Sequence, residues 1–189
     1  MEVAPGIGPA ASTKAATAQA ARADGDVPSI IAPGPWIAFG ALALGLLFDR
    51  LHKFGVLAQV PSWIRNIVAL VLVAYGGWMI FRANVVFHRT GTAFQPWRPT
   101  SAIAAVGIYA RTRNPMYQGF LLLALGLAVV FRMDWSVLLL MPAAMLIHYG
   151  VVLREETYLT RRFGENYRAY MAQVPRYGWP LIGQRRSKP

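Results

Sequence analysis

The chain has 189 residues, of which 56% are hydrophobic, and it carries a formal net charge of +11. Its length predicts one compact unit rather than two. Because it contains no cysteine, disulfides, thiolate metal sites and thiol catalysis are excluded. Its basic residues lie between and after long apolar runs, which is typical of a membrane protein and argues against a nucleic-acid partner.

The apolar runs predict the fold. Residues 1–28 are rich in Ala, Thr, Gly and Pro without an apolar period, and they predict a disordered tail. Four apolar segments follow, each near the roughly 20 residues that cross a bilayer: 29–48, 64–81, 115–131 and 135–153. The proline-rich start of the first segment leaves open whether it spans fully. The predicted fold class is therefore an all-α integral membrane protein with about four transmembrane helices, its core at residues 29–153.

The distribution of Lys and Arg predicts the orientation. The tail, the central loop (82–114) and the part after the fourth segment together hold fifteen of these residues, and the opposite loops hold four. Cytoplasmic loops carry an excess of Lys and Arg. Both termini and the central loop are therefore predicted to be cytoplasmic, in an inner or plasma membrane.

Two stretches of unusual chemistry adjoin the last two segments. Only three residues separate those segments, which predicts a tight antiparallel hairpin. Residues 154–189 read as cytoplasmic helices and a tail, with a break at Gly164 and a short amphipathic helix that stops at Pro175. Because the stretches 103–117 and 155–176 lie on the same face and each adjoins one arm of the hairpin, we expect them to be close in space.

The first stretch contains Arg113, Asn114 and Pro115 at the mouth of the third segment. Proline favours an extended conformation at the residue before it and fits the first turn of a helix. The helix N-terminus would then offer its N–H groups to an anion near Arg113. This pattern indicates either an arginine-anchored start to a membrane helix or an anion-binding site.

The second stretch contains the adjacent pair Glu155 and Glu156. They are either a solvated pair offset by nearby arginines or a site where one carboxylate binds a cation. The rings of Tyr109 and Tyr117 could attract a cation, and Arg113 or helix N–H groups could hold a carboxylate. Together these groups suit a small zwitterionic ligand, and S-adenosylmethionine is one such ligand.

Other chemistries find little support in the sequence. His148 lies alone in the fourth segment, without a second histidine at helical or facing spacing, so no metal site is predicted. The sequence shows no Ser-His-Asp arrangement or phosphate-cradling glycine loop, and it assigns no catalytic residue. The apolar segments carry no charge at mid-membrane, which argues against an ion-coupled transporter.

Two motifs resemble the isoprenylcysteine carboxyl methyltransferase and phospholipid methyltransferase family. The resemblance covers roughly residues 64–180. The motifs read Gly107-x-Tyr109-x-x-x-Arg113-Asn114-Pro115-Met116-Tyr117-x-Gly119 and Glu155-Glu156-x-x-Leu159-x-x-x-Phe163-Gly164-x-x-Tyr167-x-x-Tyr170-x-x-x-Val174-Pro175-Arg176.

The resemblance implies an all-helical membrane enzyme that uses S-adenosylmethionine as cofactor. It implies a lipophilic small-molecule or lipid substrate, methylated at the cytoplasmic face of the bilayer. By position it implies nine cofactor contacts: Ile103, Ala104, Tyr109, Asn114, Pro115, Met116, Tyr117, Glu155 and Glu156.

The chain departs from the family pattern at three positions. Asn114 replaces the commoner histidine, although asparagine keeps hydrogen-bond donors and acceptors. Ile108 stands where many members have proline. Val151 stands where prenylcysteine-specific members place a basic residue, which argues against a prenylcysteine carboxylate as the acceptor.

Two alternatives stay open at this point. The first is a sterol or steroid reductase that uses NADPH, whose C-terminal half is similar. Such proteins tend to read Asn-Tyr after the proline and then an acidic residue, whereas this chain has Met116, Tyr117 and Gln118. The second is a membrane subunit without enzymatic activity that scaffolds a partner, which predicts no cofactor binding.

Overall fold

The computed structural model describes residues 30–90 and 105–178, and within these ranges it contains helices and no strand. The predicted disordered tail and the predicted cofactor contacts Ile103 and Ala104 lie outside the described residues. The helices are α1 (Gly34–Leu51), a single turn (Val56–Gln59), α2 (Ser62–Thr90), a 3₁₀ turn (Gly107–Ala110), α3 (Pro115–Val130), α4 (Asp134–Ile147), a π-helical segment (His148–Val152), α5 (Leu153–Phe163) and α6 (Glu165–Gln173).

Three helices are long and apolar enough to cross a membrane. They are Gly34–Leu51, Ser62–Arg89 and the continuous helix Asp134–Phe163, which joins α4, the π segment and α5. α3 is apolar but has 16 residues, or about 24 Å of helix, against a hydrocarbon core of about 30 Å. The predicted all-helical membrane fold is therefore confirmed for the described residues, with three of the four predicted spans reaching the length of a span.

Helix boundaries follow local backbone chemistry. α1 begins at Gly34, after Pro33 and with a proline in its first turn, where the missing N–H of proline is tolerated. The apolar segment predicted from residue 29 therefore becomes helical only there. α3 begins at Pro115 as predicted. Gly164, with φ of 55°, separates α5 from α6 at the predicted break.

α2 is longer than the apolar segment that predicted it. Residues 82–90 were expected to begin the central loop, but they continue the helix. The helix persists because its inward face stays apolar: Ala83 and Val86 are buried against Ile108 and Met116. The end of α2 therefore supports the 3₁₀ turn that carries Tyr109.

Small residues let α2 and α3 touch along their backbones. A Cβ added at Gly76 would lie 2.7 Å from the carbonyl oxygen of Gly119, and a Cβ added at Gly119 would lie 2.9 Å from that of Gly76. Two turns further along α3, a Cβ at Gly126 would lie 3.0 Å from the amide nitrogen of Val73. Such close approach between membrane helices requires residues without bulky side chains, so α3 is fixed along α2.

At the other end of the bundle, acidic side chains hold the connections. Asp134, the first residue of α4, accepts hydrogen bonds from the backbone N–H groups of Gly55 at 3.0 Å and Leu57 at 2.9 Å. Asp49 accepts one from the N–H of Trp135 at 3.4 Å. These bonds satisfy amide donors at a helix start, and they attach the α1–α2 connection to the turn between α3 and α4.

The contact between α2 and α3 generates a stability prediction. Gly76→Ala should lower the unfolding free energy by about 1–3 kcal/mol, the usual cost of overpacking, because the added methyl would overlap the backbone of α3. Gly77→Ala is the matched control, since a Cβ there meets nothing within 4 Å. Thermal unfolding of the purified variants in detergent measures the difference. Equal midpoints for the two variants would contradict this packing.

Candidate active site

The segment that follows α6 lies along the start of α3. In this C-terminal segment (residues 174–178), the carbonyl oxygen of Arg176 accepts a hydrogen bond from the side-chain amide of Asn114 at 3.2 Å. The hydroxyl of Thr112 lies 3.3 Å from the same oxygen. Thr112 and Asn114 are both buried. The two stretches predicted to meet are therefore in direct contact.

Further bonds extend this contact on both sides. The backbone N–H of Arg113 donates to the carbonyl of Pro175 at 3.0 Å. The side chain of Gln118 makes two 3.4 Å hydrogen bonds with the backbone of Gly178, donating one and accepting one. The C-terminal segment is thus held by successive residues of one motif.

Glu156 lies between two guanidinium groups. Arg176 donates to it twice, from Nε to Oε1 at 2.9 Å and from Nη2 to Oε2 at 2.7 Å. Nη1 of Arg113 lies 3.1 Å from Oε1, and the side chains of both Arg113 and Glu156 are only 9% exposed. The hydrogen bonds to Glu156 raise the pKa of Arg176, so this guanidinium stays charged. The alternative of a solvated Glu156 is therefore wrong, because its carboxylate is buried and paired.

Glu155 has a different partner. Its Oε1 accepts a hydrogen bond from the hydroxyl of Tyr117 at 2.6 Å, which links α5 to the first turn of α3. A Cβ added at Gly34 would lie 2.4 Å from the ring of Tyr117, so the start of α1 packs directly against this ring. A phenol carries no charge at neutral pH. This partner therefore adds no positive charge beside Glu155.

Tyr109 lies in the 3₁₀ turn, which packs against α2 and the start of α3. Its ring is 5.3 Å from the ring of Phe87, measured between centroids, and its carbonyl accepts a hydrogen bond from the hydroxyl of Tyr170 at 2.7 Å. Burial raises the pKa of both tyrosines, so both phenols stay protonated. Tyr109 shares a buried cluster with Met116, which lies in the first turn of α3. Tyr109 therefore lies near the start of α3.

A π segment precedes the part of the helix that carries Glu155. π-helical turns are rare and occur frequently at functional sites. The carbonyl of Gly150, inside the segment, accepts a hydrogen bond from the N–H of Ile31 at 3.3 Å. A Cβ added at Gly150 would lie 2.7 Å from Cδ1 of Ile31, so the chain before α1 packs closely on this segment.

A cavity of about 650 Å³ opens beside the π segment. Its walls are mostly apolar and come from α2, α3, α4 and the C-terminal segment, with Leu121, Leu122, Ala144 and Met145 among them. Tyr117 and His148 also line it. Because Tyr117 both lines this cavity and binds Glu155, this side chain connects the cavity to the carboxylate.

The structure therefore places most of the predicted contacts near one another. Asn114, Pro115 and Met116 are buried at the start of α3, next to Tyr117 and Tyr109. Sequence reasoning missed the direct pairing of Arg176 with Glu156, although Arg176 belongs to the second motif. It considered His148 as a metal ligand and, with Glu156, as a group that could assist deprotonation of an amine acceptor. In the described part of the chain, no group of His, Asp and Glu could hold a metal ion.

Comparison with known proteins covers the same region. The sequence pattern of the Phospholipid methyltransferase family matches residues 64–166, more than half of the chain. This match confirms the resemblance predicted from the two motifs. Protein-S-isoprenylcysteine O-methyltransferase from Schizosaccharomyces pombe is 38% identical over 76 residues, which are 40% of this chain and 32% of that protein. No solved structure matches the chain significantly.

The buried ion pairs generate a stability prediction. Glu156→Gln should cost about 1–3 kcal/mol of unfolding free energy. Arg176 would lose a charged hydrogen-bond partner, and Arg113 would lose its ion-pair partner. Glu165→Gln is the matched control, since the side chain of Glu165 is 83% exposed and pairs with Arg168 three residues away. Thermal unfolding in detergent compares the two. A loss as small as that of the control would show that Glu156 does not hold the C-terminal segment.

Proposed function

Because the chain belongs to the phospholipid methyltransferase family, we propose that it transfers a methyl group from S-adenosylmethionine to a lipophilic acceptor at the cytoplasmic membrane face. The family and the fission-yeast relative indicate a membrane methyltransferase. The observation that carries the proposed site is the contact between Glu155 and Tyr117 at 2.6 Å, beside a mostly apolar cavity.

The residues at this contact suit the methyl donor. S-adenosylmethionine combines a sulfonium cation with an ammonium and a carboxylate. Glu155 offers a carboxylate, and the rings of Tyr117 and Tyr109 offer faces that attract cations. The N-terminal N–H groups of α3 suit an anion. The proposed cofactor contacts remain those nine predicted from the motifs: Ile103, Ala104, Tyr109, Asn114, Pro115, Met116, Tyr117, Glu155 and Glu156.

Within this set we assign Glu155 and Glu156 different tasks. Glu155 faces the cation of the donor. Glu156, which lies between Arg113 and Arg176, acts chiefly by holding the C-terminal segment against the start of α3. The bound donor supplies an electrophilic methyl group. The protein contributes by aligning the two reactants and excluding water from them.

The cavity supports a lipophilic acceptor. Its volume of about 650 Å³ and its apolar walls fit an apolar chain, and α3 and α4, which line it, are apolar helices. Val151, the position where a basic residue would bind a prenylcysteine carboxylate, is fully buried and apolar. We therefore expect weak methylation of a prenylcysteine and better turnover of a lipid amine, in contrast to what the name of the relative describes.

The orientation remains part of the proposal. The excess of fifteen to four Lys and Arg residues supports cytoplasmic termini and a cytoplasmic site. The water-soluble methyl donor would then enter the site from the cytoplasm, and the lipophilic acceptor would enter it from the bilayer. A reporter fused after Pro189 that reads out on the opposite side would refute this arrangement.

The two alternatives are less well supported. A reductase that uses NADPH is not favoured, because the family match indicates methyl transfer. A scaffold subunit would not need a carboxylate held by a phenol at the edge of a cavity. Titration with both S-adenosylmethionine and NADPH distinguishes all three.

The cofactor site gives a binding prediction. Purified protein in detergent should bind S-adenosylmethionine and not NADPH. Glu155→Gln should weaken this binding by about 1–3 kcal/mol, the scale of a charged hydrogen bond, and Tyr117→Phe should weaken it less because only the hydroxyl is lost. Glu165→Gln is the control, on an exposed surface of α6. Calorimetry measures the affinities, and equal effects for all three variants would remove Glu155 from the site.

The acceptor gives a second prediction. Membranes that contain the protein are incubated with methyl-labelled S-adenosylmethionine and then extracted with organic solvent. We expect the label in the organic phase, because the apolar cavity walls select a lipophilic acceptor. Membranes without the protein are the control. Label confined to a small polar product in water would contradict a lipid acceptor while leaving methyl transfer intact.

A further inference from the structure

One ionisable side chain in the cavity wall has no task in the proposed function so far. His148 is the first residue of the π segment and lines the cavity together with Tyr177. Its Nδ1 lies 2.9 Å from the hydroxyl of Tyr177, and the two rings are 5.7 Å apart between centroids. The C-terminal segment therefore fixes the orientation of the imidazole at the edge of the cavity.

We propose that His148, positioned by Tyr177, contacts the nucleophilic nitrogen of a lipid amine acceptor and accepts its proton. This inference rests on the proposed function and assigns the residue that would make an amine reactive. An amine is protonated and unreactive at neutral pH, so its methylation requires a group that removes a proton. A neutral imidazole can accept and return a proton in this pH range.

The contact with Tyr177 engages Nδ1 of His148, and the direction of this hydrogen bond follows the tautomer of the ring. The proposed role requires the tautomer in which Nδ1–H donates to the hydroxyl. Burial raises the pKa of Tyr177 to about 12, so its hydroxyl stays neutral at physiological pH and can accept a hydrogen bond from Nδ1–H. In that tautomer Nε2 carries the lone pair. Nε2 is thus the ring nitrogen that the contact leaves available to a ligand.

The neighbouring carboxylates are less suited to this task. Glu156 is engaged by Arg113 and Arg176, and Glu155 accepts the hydroxyl of Tyr117 and is not part of the cavity wall. Among the described residues that line the cavity there is no Asp, Glu, Lys or Arg. A carboxylate acceptor would therefore lack a permanent positive charge there, whereas an amine would meet a proton acceptor.

The position also places the acceptor beside the proposed donor site. Tyr117 lines the same cavity as His148, and its hydroxyl binds Glu155 on the donor side. In the proposed reaction the amine first gives one proton to Nε2. Its lone pair then forms the new nitrogen–carbon bond, and the methyl carbon–sulfur bond breaks with its electron pair left on sulfur. The imidazolium later returns its proton to water.

The test uses the full chain in vesicles that contain phosphatidylethanolamine, with methyl-labelled S-adenosylmethionine. His148→Asn keeps a polar group at the position of Nδ1 and removes Nε2. We expect it to lower lipid methylation by roughly 100-fold, the lower range for general base catalysis, while affinity for S-adenosylmethionine stays unchanged. His88→Asn is the matched control, because His88 is exposed near the end of α2.

Two further measurements separate this role from a structural one. Free imidazole should restore part of the methylation lost in His148→Ala and have no effect on the unchanged protein. Without donor, binding of hexadecylphosphoethanolamine should weaken roughly fivefold in His148→Asn, as for one lost hydrogen bond. If His148 only held the C-terminal segment in place, His148→Ala and Tyr177→Phe would both lower thermal stability, and imidazole would not restore methylation.

The outcomes distinguish the two proposals. If the unchanged protein binds no S-adenosylmethionine, the proposed function fails and this inference fails with it. If it binds S-adenosylmethionine but does not methylate phosphatidylethanolamine, the inference alone is overturned. The inference is also overturned if His148→Asn methylates the lipid at the unchanged rate. It is overturned as well if imidazole does not restore methylation in His148→Ala. Loss at His148 with imidazole rescue and intact donor binding supports it.

Discussion

The carboxylate of Glu156, buried between Arg113 and Arg176, is the contact on which the arrangement of the site depends. Removing one partner from a buried ion pair is costly because the other charge stays buried without compensation. The three residues come from α5, from the turn before α3 and from the C-terminal segment. A single electrostatic requirement therefore brings together three parts of the chain that are distant in sequence. The hydrogen bonds from the side chains of Thr112 and Gln118 to carbonyls of the C-terminal segment follow from that alignment.

Adjacent positions on one helix can then serve different purposes. Successive residues of an α-helix point about 100° apart, so Glu155 and Glu156 meet different neighbours. Glu156 meets permanent cations that belong to the protein, whereas Glu155 meets a neutral phenol on Tyr117. The first arrangement is complete without a ligand. The second pairs a carboxylate with a neutral side chain that lines the cavity. This difference separates the residue that holds the site together from the residue proposed to bind the ligand.

The sequence predicted the features that depend on local pattern. The apolar runs predicted the helices, Pro115 predicted the start of α3 and Gly164 predicted a break. The extent of α2 was underestimated because residues 82–90 include polar residues on the outward face. Their buried face packs on the 3₁₀ turn, and this contact is not visible in the local sequence. The pairing of Arg176 with Glu156 depends on how α6 folds back, and no local pattern reports that. The π segment was not predicted either, since its sequence reads like any apolar helix.

The π segment has a consequence for how this helix can change without losing its place in the bundle. A π turn is formally one residue inserted into an α-helix, so everything after it is rotated by about 100° relative to an uninterrupted helix. The part before it can keep its packing against α1 and α3 while the part after it faces Tyr117 and the arginines. Deleting one residue there would turn Glu155 and Glu156 away from Tyr117 and the arginines. The inserted residue thus lets the direction in which Glu155 and Glu156 point differ from the direction set by the packing of α4.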